Sequence, residues 1–191
     1  VVSTKSPTPH RRHTGGGLCL RAWRPTDAPA LADALATSHG HLRPWMDWID
    51  RHQGLDGAVD YVRECEGRWL LREDFALAIC GDDETTLLGG CGFHLRQGPW
   101  EQGAVEVGMW IRQSAAHKGT GTTALQELTS WGFARWGWRR LVWRCDGSNL
   151  ASRKVAERCG YTLEGVLRQD GRNATDDDFR DTACYARLWD D

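Results

Sequence analysis

The chain has 191 residues and a mass of 21.5 kDa, the size of one domain. Hydrophobic residues make up 40% and charged residues 26%, a globular balance that excludes a disordered chain. Twenty-four Lys and Arg against 26 Asp and Glu leave a formal net charge of −2, so the broad positive field of most nucleic-acid binders is missing and no direct nucleic-acid binding is expected.

No run approaches the ~18–20 consecutive apolar residues of a membrane span, and the start has no signal-peptide core, so no membrane partner is expected. Seven cysteines stand at 19, 65, 80, 91, 145, 159 and 184, with no C-x-x-C pair and no zinc-finger spacing. Several lie in apolar runs such as Leu18-Cys19-Leu20, so they read as reduced core thiols of a cytoplasmic protein without a metal. The compositional oddity is 11 Trp against 4 Phe and 3 Tyr.

In chain order, residues 1–17 combine Pro7, Pro9, Gly15-Gly16-Gly17 and the basic His10-Arg11-Arg12-His13, and are expected to be a flexible leader before a single domain at 18–191. Residues 18–24 alternate as a strand does. Pro25-Thr26-Asp27 then starts a helix with Ala28, Leu31, Ala32, Leu35 and Ala36 on one face. An aromatic segment at 41–48 precedes a helix over about 55–72. Strands are expected at 75–80, 87–95 and 104–111, a helix at 122–136, a strand at 140–145 and a helix at 149–159. Two terminal strands, 161–167 and 179–189, flank a polar hairpin loop. A meander followed by strand–helix–strand gives an α/β (α+β) domain, a mixed, mostly antiparallel sheet flanked by helices.

The loop from Ser114 to Thr122 leads from a strand directly into a helix. A helix N-terminus offers unpaired amides and a partial positive charge, and Gly119 and Gly121 let an anion approach the backbone. The spacing is neither G-x-G-x-x-G nor a P-loop, and neither G-x-S-x-G nor H-E-x-x-H occurs, so dinucleotide folds, serine hydrolases and zinc proteases drop out.

Other segments narrow the choice: Glu106-Val-Gly-Met-Trp-Ile111, Asn149-Leu-Ala-Ser152 at a helix start, Arg158-Cys-Gly-Tyr-Thr-Leu-Glu-Gly165, Leu42-Arg-Pro-Trp-Met-Asp-Trp48, Gly92-Phe-His94 and Tyr185-Ala-Arg-Leu188. In this order they resemble the GNAT superfamily of N-acetyltransferases, in its RimJ/RimL-type branch, over about residues 18–189. The resemblance implies a splayed strand pair that forms an acetyl-CoA site. It implies direct transfer of acetyl to a primary amine, either a protein N-terminal α-amine of the ribosomal-protein type or a small-molecule amine such as an antibiotic. A homodimer is compatible with that branch.

Carried over by position, the resemblance assigns the cofactor to Met109, Trp110 and Ile111 on the splayed strand. The diphosphate falls to His117, Lys118, Gly119, Thr120, Gly121 and Thr122, and further cofactor contacts to Asn149, Ser152 and Lys154. Glu106 matches the strand carboxylate that serves as base and Ser152 the serine beside the CoA sulfur. Trp45, Trp48 and His94 fall on the acceptor side, and Trp100 in its Gly-Pro loop is expected where a substrate could reach, while the strand tryptophans, Trp189 among them, are expected to pack between sheet and helix. A tie between strands for Glu106, a helix cap for Asn149 and Ser152, a packed and satisfied ring rather than a base for His94, and core packing for the tryptophans stand as alternatives. The family's loop opens with Gln or Arg where this chain has Ala116, which leaves His117 or Lys118 to supply the charge. A non-catalytic acyl-CoA-binding module, or an acyltransferase using a longer donor such as succinyl-CoA, are the alternative functions.

Overall fold

In the computed structural model, which describes residues 10–175 and 178–191, one eight-stranded sheet runs through the molecule. The strands are β1 (Arg12–Gly15), β2 (Leu18–Ala22), β3 (Asp74–Gly81), β4 (Leu87–His94), β5 (Ala104–Ile111), β6 (Arg140–Asp146), β7 (Thr162–Arg172) and β8 (Phe179–Leu188). Their order across the sheet is β1-β2-β3-β4-β5-β6-β8-β7. Neighbours are antiparallel except β5 and β6, which are parallel and joined by a helical crossover.

Successive strand residues face opposite ways, so the sheet feeds two cores. On one face, α1 (Ala28–Leu42) and α2 (Gly54–Leu71) set Leu31, Leu35 and Val62 against Ala78, Cys80 and Trp110. On the other, α3 (Thr120–Trp131) and α4 (Leu150–Arg158) set Leu125, Leu128 and Ala156 against Leu77, Phe93 and Val107. The second core is closed by stacked aromatics, with Trp131, Trp136 and Trp138 all buried around Phe93.

Several expectations change in detail. Part of the expected leader is β1, which pairs with β2 and is tied to α3. His13 hydrogen-bonds Glu127 at 2.9 Å and stacks on Trp131, while Arg12 reaches Glu84 at 3.0 Å. The side-chain partners of Arg12 and His13 lie more than seventy residues away, so local composition reads the segment as solvated tail. Residues 1–9 lie outside the described residues, as do 176–177 within the expected hairpin loop. The helix expected at 122–136 is α-helical to Trp131 and closes as a π turn over Gly132–Trp136. β7 runs on to Arg172, past the expected strand end.

Trp100, expected where a substrate could reach, is core: its ring lies 4.5 Å from Trp138 and 5.6 Å from Trp136. Trp189, expected to pack between sheet and helix, is instead 56% exposed with the Arg139 guanidinium 5.0 Å over its ring. All seven cysteines are free thiols, and burial pushes Cys65 up to about 12 and Cys80 and Cys159 up to about 11. Such thiols stay protonated and inert.

Candidate active site

The parallel pair holds the key geometry. β5 and β6 are in register only from Ala104↔Arg140 to Val107↔Trp143. Beyond that point residues 108–111 stay paired to β4, and 144–146 stay paired to β8. The strands therefore splay, and their facing backbone groups line a wedge. The wedge opens into one groove of about 1180 Å³, larger than the ~300–1,000 Å³ of an ordinary small-molecule pocket.

One end of the groove is the N-terminus of α3. Gly119 is its cap residue at φ 85°, a conformation that only glycine adopts without strain, and nothing lies within 4 Å of where its Cβ would be. No side chain caps this helix, so its first-turn amides face the groove unclaimed. That is the donor set a diphosphate needs. His117 also adopts a left-handed φ of 59°. His41, from the end of α1, lines the same wall. Burial first and the neighbouring His117 second push its imidazole below its ordinary range. His41 carries no motif signal; only the fold brings it to the loop.

The opposite lip is the start of α4. Asn149 Oδ1 accepts from the Ser152 amide at 3.0 Å and is the cap. The Ser152 hydroxyl is free of that duty and accepts the Trp143 indole N–H at 3.1 Å. Cys145 lies in the wall beside them, its thiol raised chiefly by burial.

The floor is a row of ionisable residues across three strands. Asp74 pairs in register with His94, and His94 with Glu106, so all three face the same way. Asp74 Oδ1 lies 2.7 Å from His94 Nδ1. Glu106 is 8% exposed, and its Oε1 accepts from Arg96 Nη1 at 2.6 Å. The next row, Ala76–Gly92–Gly108, is nearly bare of side chains. The acceptor-side wall is aromatic: Trp48 stacks on Tyr61 at 5.4 Å and meets Trp110 edge-on at 6.2 Å, with Trp45 nearby.

The residues singled out in the sequence thus converge. Glu106, Met109, Trp110, Ile111, His117, Gly119, Gly121, Thr122, Asn149, Ser152 and Lys154 line the groove together with Trp45, Trp48 and His94. Lys118 and Thr120 do not line it, so of the two cations expected to replace the loop's missing Gln or Arg, only His117 is on the wall. Asp74, His41 and Arg96, which also line the groove, carry no motif signal. Asp74 is found only by pairing β3 with β4, twenty residues apart. No group of three or more metal-ligating side chains occurs among the described residues.

Residues 17–162 match the family model described as Acetyltransferase (GNAT) domain. The chain belongs to the GNAT acetyltransferase family. Its activity class is therefore acetyl transfer, with acetyl-CoA as donor. It is 35% identical over 167 residues to the ribosomal-protein-serine acetyltransferase of Escherichia coli (strain K12), covering 81% of this chain and 91% of that protein. It is also 35% identical over 85 residues to the uncharacterized N-acetyltransferase YjdG of Bacillus subtilis (strain 168), a match that spans about half of that protein (49%) and 44% of this chain.

Among solved structures, RimL, the ribosomal L7/L12 alpha-N-protein acetyltransferase in complex with coenzyme A, superposes with a TM-score of 0.82 at 24% identity. That match covers 92% of this chain and 96% of that one. The microcin C7 self-immunity acetyltransferase MccE, in complex with acetyl-CoA and AMP, gives 0.82 at 22% identity, over 96% and 98%. At these identities the superpositions establish the fold, a GNAT sheet with a splayed strand pair.

Proposed function

We propose that this protein transfers the acetyl group of acetyl-CoA directly to a primary amine, and that the amine is the N-terminal α-amine of a protein, of the ribosomal-protein type. The observation that carries it is the single groove, which joins an uncapped helix N-terminus, an open strand wedge and a floor carboxylate in one continuous path. The free amides at α3 take the diphosphate, with His117 and Lys154 beside them. The unpaired edges of β5 and β6 take the pantetheine as an added strand. A backbone N–H near Met109–Ile111 polarises the thioester carbonyl. Ser152 lies where the thiol departs, and Glu106 attracts the protonated amine and helps strip its proton through water. Trp45 and Trp48 wall the acceptor.

An α-amine suits this equipment because its pKa of ~7.7–8.0 leaves a useful neutral fraction near pH 7, whereas a lysine at ~10.4 needs far more help. The relation to a ribosomal-protein-serine acetyltransferase supports the same acceptor. Free thiols throughout and the lack, among the described residues, of a helix long and apolar enough to cross a membrane fit work in the cytoplasm.

The test is a mass-spectrometric panel of peptides with free α-amines, α-blocked lysine peptides and amino-sugar antibiotics, each with acetyl-CoA and with succinyl-CoA. Acetylation of free α-amines is expected. Modification of lysine or antibiotic amines alone would overturn the acceptor. No product at all, with CoA still raising the melting temperature, would favour a non-catalytic binding module.

A further inference from the structure

The floor of the groove contains a pair of residues that acyl transfer at a lone carboxylate does not require. Asp74 and His94 are 2.7 Å apart, and each side chain is about one-sixth exposed (17% and 16%). A carboxylate oxygen can only accept here, so His94 carries its proton on Nδ1 when neutral and Nε2 holds the free lone pair. That atom lies over the backbone of Gly108. A Cβ on Gly108 would stand 2.6 Å from Nε2, and one on Gly92 would stand 3.3 Å from Cε1. Two glycines on adjacent strands thus leave the room that the ring occupies, at the margin where β5 begins to leave β6.

Several of the charged groups around this ring are paired with one another. Glu106, its cross-strand neighbour, is matched by Arg96 at 2.6 Å. On α2, which covers this face, Glu64 is matched by Arg68 at 3.7 Å. Tyr61 and Cys65 on the same helix are held neutral by burial. Arg144 on β6 is paired with Asp170. Asp74 is the carboxylate in direct contact with the imidazole. Glu106, by contrast, has one oxygen committed to Arg96.

We propose that Asp74 and His94 form the proton-accepting dyad of this transferase, with Nε2 of His94 as the atom on which the acceptor's proton is collected. The proposal rests on the acetyl-transfer reading and deepens it. The bound ammonium gives one proton, directly or through the water at Glu106, to Nε2. The freed nitrogen lone pair then forms the C–N bond to the thioester carbonyl carbon, and the C–S bond breaks. The remaining surplus proton on nitrogen goes to the departing thiolate, and the imidazolium, paired with Asp74, later returns its proton to solvent. Ammonium, thioester and neutral imidazole become amide, thiol and imidazolium, so atoms and charge balance. Asp74 fixes the tautomer and stabilises the imidazolium, the part an aspartate plays toward a catalytic histidine in hydrolases.

The experiment compares pH profiles of kcat, which report groups in the bound complex, for the wild type, His94→Gln, Asp74→Asn and Glu106→Gln with a free α-amine peptide. The wild type is expected to lose activity on the acid side through the imidazole range. His94→Gln should lower kcat about 100-fold and flatten that limb. Asp74→Asn should lower kcat and move the limb to lower pH, because the imidazolium loses its counter-charge. Glu106→Gln should be slow but keep the limb. Melting curves with and without acetyl-CoA establish that each variant is folded and loads donor.

Should His94→Gln not fold, the nitrogen shifts of His94 in the wild type decide: an Nδ1–H tautomer is expected, and an Nε2–H tautomer overturns the dyad. A His94→Gln enzyme with the wild-type rate and limb overturns it as well, while leaving acetyl transfer intact. A wild type that releases no CoA with any amine overturns the transferase reading and the dyad with it.

Discussion

The indole N–H of Trp143 points at the Ser152 hydroxyl across 3.1 Å, tying β6 to the first turn of α4 at the mouth of the wedge. Because Asn149 supplies the cap, the Ser152 Oγ is free of that work; it receives the indole N–H and lies beside the Cys145 thiol. Ser152→Ala should lower kcat by about 10- to 100-fold, the low end of what a group positioned to relay a proton to the departing thiolate contributes, since a thiolate leaves readily. The melting shift with acetyl-CoA should be nearly unchanged. A shift that collapses while kcat holds would make Ser152 a binding residue instead.

Asn149→Ala, by contrast, removes the cap and should cost about 1 kcal/mol of stability. Thermal melting checks this, and an unchanged melting temperature would show that the first turn of α4 is held by its other contacts.

The Arg96–Glu106 pair joins a carboxylate 10% exposed to a guanidinium 63% exposed. Truncating the outer partner therefore strands the inner one. Arg96→Met should destabilise the fold by roughly 1–3 kcal/mol, the cost of leaving a buried charged acceptor without its partner. Glu106→Gln keeps the shape and should leave stability nearly untouched while lowering kcat/KM about 100-fold. Equal activity in Glu106→Gln and wild type would reduce Glu106 to a strand tie.

The mixed sheet and the helices on its faces are legible in the sequence because alternation and helical spacing hold from residue 18 onward, whereas the strand order is set by long-range pairing. The phosphate loop is legible because its glycines precede a helix. β1 is not, since its His13 and Arg12 find partners only once α3 and the β3–β4 turn are in place. Asp74 is hidden for a similar reason: it opens a strand, where an acidic residue reads as punctuation, and only register brings it to His94. Trp100 misleads in the opposite direction, because a tryptophan in a Gly-Pro loop looks exposed until Trp136 and Trp138 close over it.

His41 gives the pH dependence of donor binding. Its folded-state pKa lies below the ordinary value, so its contribution to stability is intact above the histidine range of ~6.5. As pH falls through that range the unfolded chain takes up the proton more readily, and stability is lost. A diphosphate at the adjacent loop reverses the local preference and favours the charged ring. Acetyl-CoA affinity, measured by titration calorimetry, should therefore rise as pH falls from about 8 to about 6, with proton uptake on binding. In His41→Ala the rise should shrink. Affinity that is flat or falls with acidity would place the diphosphate away from His41.

His117 holds a left-handed backbone at φ 59° with a side chain that disfavours it. His117→Gly should raise stability by about 0.5–1 kcal/mol, the relief of a strained residue less the entropy of glycine. In melting temperature that is roughly 1–4 °C for a domain of this size. His117→Ala keeps the strain and should show no such gain. A lower melting temperature in His117→Gly would mean that the side chain's contacts outweigh its backbone.

Acetyl transfer to a protein α-amine is read in the rate of free thiol release from acetyl-CoA by the wild-type protein, with and without a peptide bearing a free N-terminal serine. The predicted result is release that depends on the peptide, saturates with it, and matches the acetylated peptide mole for mole. Thiol release that is the same with and without peptide, from a protein that acetyl-CoA nevertheless stabilises, would contradict it.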